Sequence, residues 1–201
     1  MRTALLLCGA LCLAACSRSE PSPVANCAAL DAGAPVDPVL LAFLSRARAA
    51  HHLADDLEGD LSASAQPLER LVSGPVPRLG NTELAPEVRE VLADTFARLA
   101  DLHSRQGAFD RALQDIQQGL NHAREPNYFR GHLLETEGLV EERHAKALET
   151  SDPVAAAAIR KRAIELLEQA MVVQSGVIEG TPTTPPAVTS ARTPTPAASA
   201  R

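Results

Sequence analysis

The chain has 201 residues and a formal net charge of −6, from 25 Asp and Glu against 19 Lys and Arg. An acidic balance argues against nucleic acid as a partner, because binding phosphate wants a basic face. Aromatic residues make up 2% and Trp is missing, so stacking platforms for bases or sugars are thin, while the Ala- and Leu-rich apolar content favours helix over sheet.

At the start, Arg2 supplies a short positive segment, Ala4 to Ala15 an apolar run, and Ser17-Arg18-Ser19-Glu20 a polar exit. These are marks of a secretory signal peptide, and the run is too short to cross a bilayer, which takes about 20 apolar residues. Leu13-Ala14-Ala15-Cys16 resembles a bacterial lipobox. The resemblance implies a signal peptide over 1–15, cleavage before Cys16 and three acyl chains, palmitate among them, on the new N-terminal cysteine. One chain holds only weakly, at about 0.8 kcal/mol per buried methylene; three are enough for stable anchoring. Cys8 and Cys12 each follow a leucine and fit the pattern badly. Ser17 after the cysteine resembles the outer-membrane sorting signal of cells with two membranes, which would place the protein in the cell envelope facing the periplasm. The competing reading is an ordinary cleaved signal with an incidental cysteine, or a short uncleaved anchor. Cleavage removes Arg2 and leaves 18 basic against 25 acidic residues, a net charge of −7.

Residues 16–36 are rich in Ser, Pro, Ala and Gly without apolar period and read as a flexible linker, spanning about 25 Å if fully flexible. Cys27 lies in it as the one thiol left, either an unremarkable tether residue or half of an intermolecular bridge.

Residues 37–178 read as an all-α domain. Asp37-Pro38 opens a helix to about Leu57 with Leu40, Leu44, Ala47, His51 and Ala54 on one face. Gly59 breaks the chain, and a second helix runs over about 60–73, with a kink expected at Pro67. A loop carrying Gly74, Pro75, Pro77 and Gly80 follows. Pro86 opens a third helix with Val88, Leu92, Phe96, Leu99 and His103 on one face, ended by Gly107. The fourth helix places Phe109, Ala112, Leu113, Ile116 and Leu120 on a clear amphipathic stripe and stops at Pro126. A fifth helix covers about 127–149, and Asp152-Pro153 starts a sixth to about Ile178. Residues 179–201, rich in Thr, Pro and Ala, read as a disordered tail.

Six helices joined by short turns suggest three antiparallel hairpins, and the hairpins look alike. Leu44 to His51 matches Phe96 to His103, and the third copy gives Leu134 to Glu141. In the second helices, Ala112-Leu113, Ile116 and Gly119-Leu120 match Ala163-Ile164, Leu167 and Ala170-Met171, with Ser64-Ala65, Leu68 and Leu71-Val72 the weaker copy. Residues 93–126 resemble one tetratricopeptide repeat: Phe96, Leu99, Ala100, His103, Gly107, Phe109, Ala112, Ile116 and Gly119 fall at its large, small and turn positions, and Pro126 near its closing proline. His103 stands in place of the usual aromatic and Gly119 in place of the usual alanine. The turn is longer in the first hairpin, and longer by about a dozen residues around Ala145 to Asp152 in the third. The resemblance implies a short stacked solenoid, in which Ala100, Ala112, Gly138 and Ala163 let helices approach closely.

Nothing in the sequence meets the pattern of a catalytic or cofactor site, so a non-enzyme with no cofactor is expected. His51-His52 with Asp55-Asp56 offers two ligands one turn apart, short of the three or four a metal needs; His51, on the apolar stripe, reads as a packing residue like His103. Glu135, Glu141 and Glu142 read as a solvated face. The tetratricopeptide resemblance implies a concave groove lined by the first helix of each hairpin. Carried over position by position, it picks Arg46 and His52, then Arg98, Asp101 and Arg105, then His132, Glu135, Glu142 and Arg143. Such a groove would be basic at one end and more acidic at the other, suited to a polar or charged segment. It lacks the Lys/Asn clamp that some such repeats use for a C-terminal carboxylate. Two functions follow as expectations: an anchored, non-catalytic scaffold for another envelope protein, or a pilotin-like assembly factor for an outer-membrane machine. Neither calls for a small-molecule substrate.

Overall fold

A computed structural model describes residues 37–57, 59–79 and 83–180. Cys16, Cys27, the linker and the tail beyond Gly180 lie outside the described residues. The described chain is all-helical: α1 Pro38–Asp56, α2 Leu61–Ser73, α3 Pro86–Arg105, α4 Phe109–His122, α5 Tyr128–Leu148 and α6 Pro153–Glu179. None of these helices is long and apolar enough to cross a membrane.

Local chemistry sets most of the helix starts. Asp37 accepts from the Val39 amide at 2.8 Å, Asn127 from Arg130 at 2.9 Å, and Asp152 from Ala155 at 2.9 Å. Asp60 accepts from both Ser62 and Ala63 at 3.0 Å. Each satisfies an amide that the first turn leaves without a helical partner. Pro38, Pro86 and Pro153 occupy the first helical position, where the missing N–H costs nothing. Gly107 closes α3 with a φ of 78°, a left-handed conformation that glycine adopts without penalty. The α2 helix runs on through Pro67, which is buried. The loop after it is not wholly irregular: Arg78 pairs with Leu84 and Leu79 with Glu83 in a two-residue antiparallel ladder. The α6 helix carries one residue past the expected end, to Glu179, and Gly180 caps it in the left-handed conformation at φ 66°.

Consecutive helices pack in pairs, α1 on α2, α3 on α4 and α5 on α6, and α3 also contacts both α1 and α5. The α3 helix is therefore central, with buried residues around much of its circumference: Val88, Leu92, Ala93, Ala97, Leu99 and Ala100. One apolar cluster joins Ala93, Ala97 and Ala100 to Ala112, Leu113 and Ile116 of α4 and to Leu133 and Val140 of α5. A second places Phe43 and Ala47 of α1 against Leu71, Val88 and Leu92. The stripe read on α1 omitted Phe43, its largest fully buried side chain.

The α5–α6 pair departs from the pattern of the α3–α4 pair. Ile164 and Met171, matched in sequence to Leu113 and Leu120, are exposed, while Leu166, Ala170 and Val173 pack against Leu134. The reason is position: no further described helix covers the outer side of α6, so only its α5-facing stripe is buried. The α5–α6 crossing is close at Gly138, where a Cβ would lie 2.8 Å from Leu167 Cγ and 3.2 Å from the Ala163 carbonyl oxygen.

Buried polar residues bind this pair as well. Glu137 and Glu141 lie one turn apart on α5, both about 95% buried, and Arg162 of α6 reaches Glu137 Oε1 at 3.1 Å and Glu141 Oε1 at 3.2 Å. Glu141 therefore does not belong to a solvated face: the side of α5 that carries it is covered by α6.

Candidate functional site

Residues of α1, α3 and α5 border two adjoining cavities. The first, of about 430 Å³, lies between α1 and the N-terminal half of α3, with Phe129 of α5 at its edge. The second, of about 310 Å³, lies between α1, α3 and the middle of α5. Asp55 borders both. Cavities of this size fall in the range of small binding sites, or of a few side chains of a peptide.

The stripe that α1 presents to the first cavity is Arg48, His51, His52 and Asp55, spaced i, i+3, i+4 and i+7. Arg46 is off it. Two residues back is a turn of about 200° around a helix, so its side chain faces elsewhere: it donates to the Pro75 carbonyl at 2.6 Å and sits over the Phe43 ring. The groove assignment of Arg46 is thereby corrected, and Arg48 takes the place it was given.

His51 sits at the α1–α3 contact in a defined tautomer. The Thr95 hydroxyl donates to the Val91 carbonyl at 2.7 Å, so at 2.9 Å from His51 it accepts, and Nε2 carries the proton. Nδ1 is then the acceptor, and Arg98 donates to it at 2.9 Å. Burial pushes the His51 pKa below its usual value, the Arg98 guanidinium and His52 push the same way, and Asp94, 3.5 Å from Nδ1, opposes them. His51 is thus a hydrogen-bonded polar link between α1 and α3 and more than a packing residue. Arg98 also pairs with Asp55, so one guanidinium joins a His and a carboxylate of α1 to α3.

His103, read as a replacement for an aromatic, is likewise a polar link. It is 3% exposed, its Nδ1 lies 2.6 Å from Asp115 Oδ2 of α4, and its Nε2 lies 3.4 Å from Glu69 of α2. A carboxylate only accepts, so Nδ1 donates to Asp115. Arg111 pairs with Glu69 from α4.

The remaining residues read from the sequence divide into three groups. His52 lines the first cavity, and Arg98, Asp101, Arg105 and His132 line the second together with Thr136 and Leu139. Arg143 serves as a strut between α5 and α3, donating to Ser104 Oγ at 2.7 Å and pairing with Asp101 at 2.8 Å. Glu135 and Glu142 line neither cavity: Glu135 accepts from Gln174 of α6 at 3.2 Å and lies 3.7 Å from His132, and Glu142 is exposed. The first cavity also carries acidic residues outside the set read from the sequence. The acid at the first-hairpin end comes from Glu87, Glu90 and Asp94, which sequence reasoning passed over. Their i, i+3, i+7 spacing on α3 was the available signal.

Among the described residues no group of three or more His, Cys, Asp or Glu converges in a way that could hold a metal ion. Comparison with known proteins found no matching family model, no similar curated protein and no similar solved structure.

Proposed function

We propose that this chain is a lipid-anchored, non-catalytic adaptor of a bacterial envelope: an acylated Cys16 tethers a short tetratricopeptide-like array whose α1–α3–α5 face takes an extended segment of another envelope protein. The reading rests on the lipobox-like Leu13-Ala14-Ala15-Cys16 for the anchor and on the hairpin-like matches in sequence for the array. The observation that carries the binding role is the pair of adjoining cavities, about 430 and 310 Å³, bordered by residues of α1, α3 and α5. Their lining combines apolar and charged residues, the composition of a surface that gains affinity from burial and specificity from charge.

The test is site-specific photo-crosslinking in cells. A photoreactive residue at Leu139, on the rim of the second cavity, is expected to give one dominant adduct with an envelope protein, lost in Arg105→Glu. The same probe at Val154, exposed in the first turn of α6 and outside both cavities, is expected to give none. Equal labelling from both positions would remove the groove from the reading. Mass spectrometry of the mature N-terminus tests the anchor: a triacylated Cys16 is expected, and a Cys16→Ala protein is expected to leave the membrane fraction.

A further inference from the structure

The first cavity has a chemistry more specific than a generic groove, and it names the class of side chain that fits. Its apolar lining comes from Leu44 and Ala47 of α1 and Val91 of α3, with Phe129 of α5 at the edge. Its α3 wall carries Glu87, Glu90 and Asp94 on one helical stripe. Glu87 and Glu90 are exposed, and their carboxylates make no hydrogen bond or ion pair among the described residues.

The positive groups nearby do not cancel this wall. Arg48 keeps its charge, its Nε 3.5 Å from the His52 Nε2, but among the described residues it is the one Arg or Lys lining the cavity against four carboxylates, Asp55, Glu87, Glu90 and Asp94. Arg98 pairs with Asp55. His51, the group nearest Asp94, accepts from Arg98 at Nδ1 and is held toward its neutral form. Three carboxylates therefore face a hollow with an apolar lining.

We propose that this cavity seats a Lys or Arg side chain, flanked by an aliphatic residue, from a segment of a partner protein. Such a side chain has an apolar stem and a charged head. The stem and its aliphatic neighbour cover Leu44, Val91 and Phe129, and the head lies among Glu87, Glu90 and Asp94. A volume of about 430 Å³ leaves room for the two side chains together. An anionic segment would meet like charge here, so the wall selects against it as well as for the cation.

This inference rests on the groove reading and deepens it. The test titrates the purified, soluble full-length mature chain carrying Cys16→Ser with three fluorescein-labelled nonapeptides identical except at their centre: Leu-Arg-Leu, Leu-Gln-Leu and Leu-Glu-Leu. The expected order is Arg tightest, with binding weakened about three- to tenfold by the Glu87→Gln/Glu90→Gln double variant and by raising salt from 50 to 300 mM. Both residues are exposed, so the double variant is expected to fold, which circular dichroism checks. Tighter binding of the Glu or Gln peptide, or an Arg peptide indifferent to the double variant, overturns the cation assignment and leaves the groove in use. Binding of none of the three, with residues 181–201 present or removed, overturns the groove reading as well. Binding of the Arg peptide only after removal of residues 181–201 would assign the cavity to the chain's own Arg192 or Arg201 instead of to a partner.

Discussion

Arg98 donates to Nδ1 of His51 at 2.9 Å across the α1–α3 contact. The bond exists only while Nδ1 holds a lone pair, so protonating His51 both removes an acceptor and sets a cation against a guanidinium. Arg98, Asp94, His52 and, through Arg98, Asp55 are the charged or titratable groups in this network.

That relationship has a pH signature. The folded-state pKa of His51 lies below its unfolded value of 6.5, so unfolding takes up protons as pH falls through that value. Stability is therefore full above about pH 6.5 and is lost as the pH falls from there through the folded-state value. His122, lowered by burial and by Arg124 and Arg89, adds in the same direction. Thermal unfolding from pH 7.5 down to 5 is expected to show a falling Tm in the wild type and a shallower fall in His51→Gln. Equal slopes would remove His51 from the effect.

At α5–α6, Arg162 is the common partner of two buried glutamates. Replacing it with Met leaves two carboxylates one turn apart without their counter-charge. Losing one partner of a buried pair costs about 3–5 kcal/mol, and because Arg162 is 36% exposed the expected loss is lower, about 2–4 kcal/mol. Lys161→Met, beside it but outward-facing, is expected to change stability by less than about 0.5 kcal/mol. Urea denaturation compares the two.

A helical Gly→Ala substitution ordinarily stabilises, by up to about 1 kcal/mol. Gly138→Ala is expected to do the opposite, by about 1–3 kcal/mol, because the added Cβ meets Leu167 and the Ala163 backbone. The change in Tm decides the sign.

His103→Phe separates a packing role from a polar one. If the position only needed an aromatic, the change would be near neutral. The 2.6 Å bond to Asp115, whose side chain is 15% exposed, predicts instead a loss of about 1–3 kcal/mol from the stranded carboxylate. Adding Asp115→Leu is expected to recover part of the loss, and a double-mutant cycle measures the coupling.

The candidate site was legible only in part. His52, Arg98, Asp101, Arg105 and His132 do line the two cavities, which residues of α1, α3 and α5 border together. Arg46 did not, since a shift of two residues moves a side chain to the far side of a helix. Glu135 and Arg143 are on α5 as expected, but Gln174 draws the first to α6 and Asp101 draws the second into a strut.

What the amino-acid order decides alone is local. The starts at Asp37-Pro38 and Asp152-Pro153, the break at Gly59, the stop before Gly107 and the stripe on α4 all follow from backbone sterics, capping and apolar period within a few residues. What tertiary structure decided is which side of each helix meets another. It left Ile164 and Met171 in solvent, buried Glu137 and Glu141 against Arg162, and turned two histidines on apolar stripes into hydrogen-bonded links. Those outcomes depend on partners 12 to 47 residues away, and no local pattern encodes the partner's position.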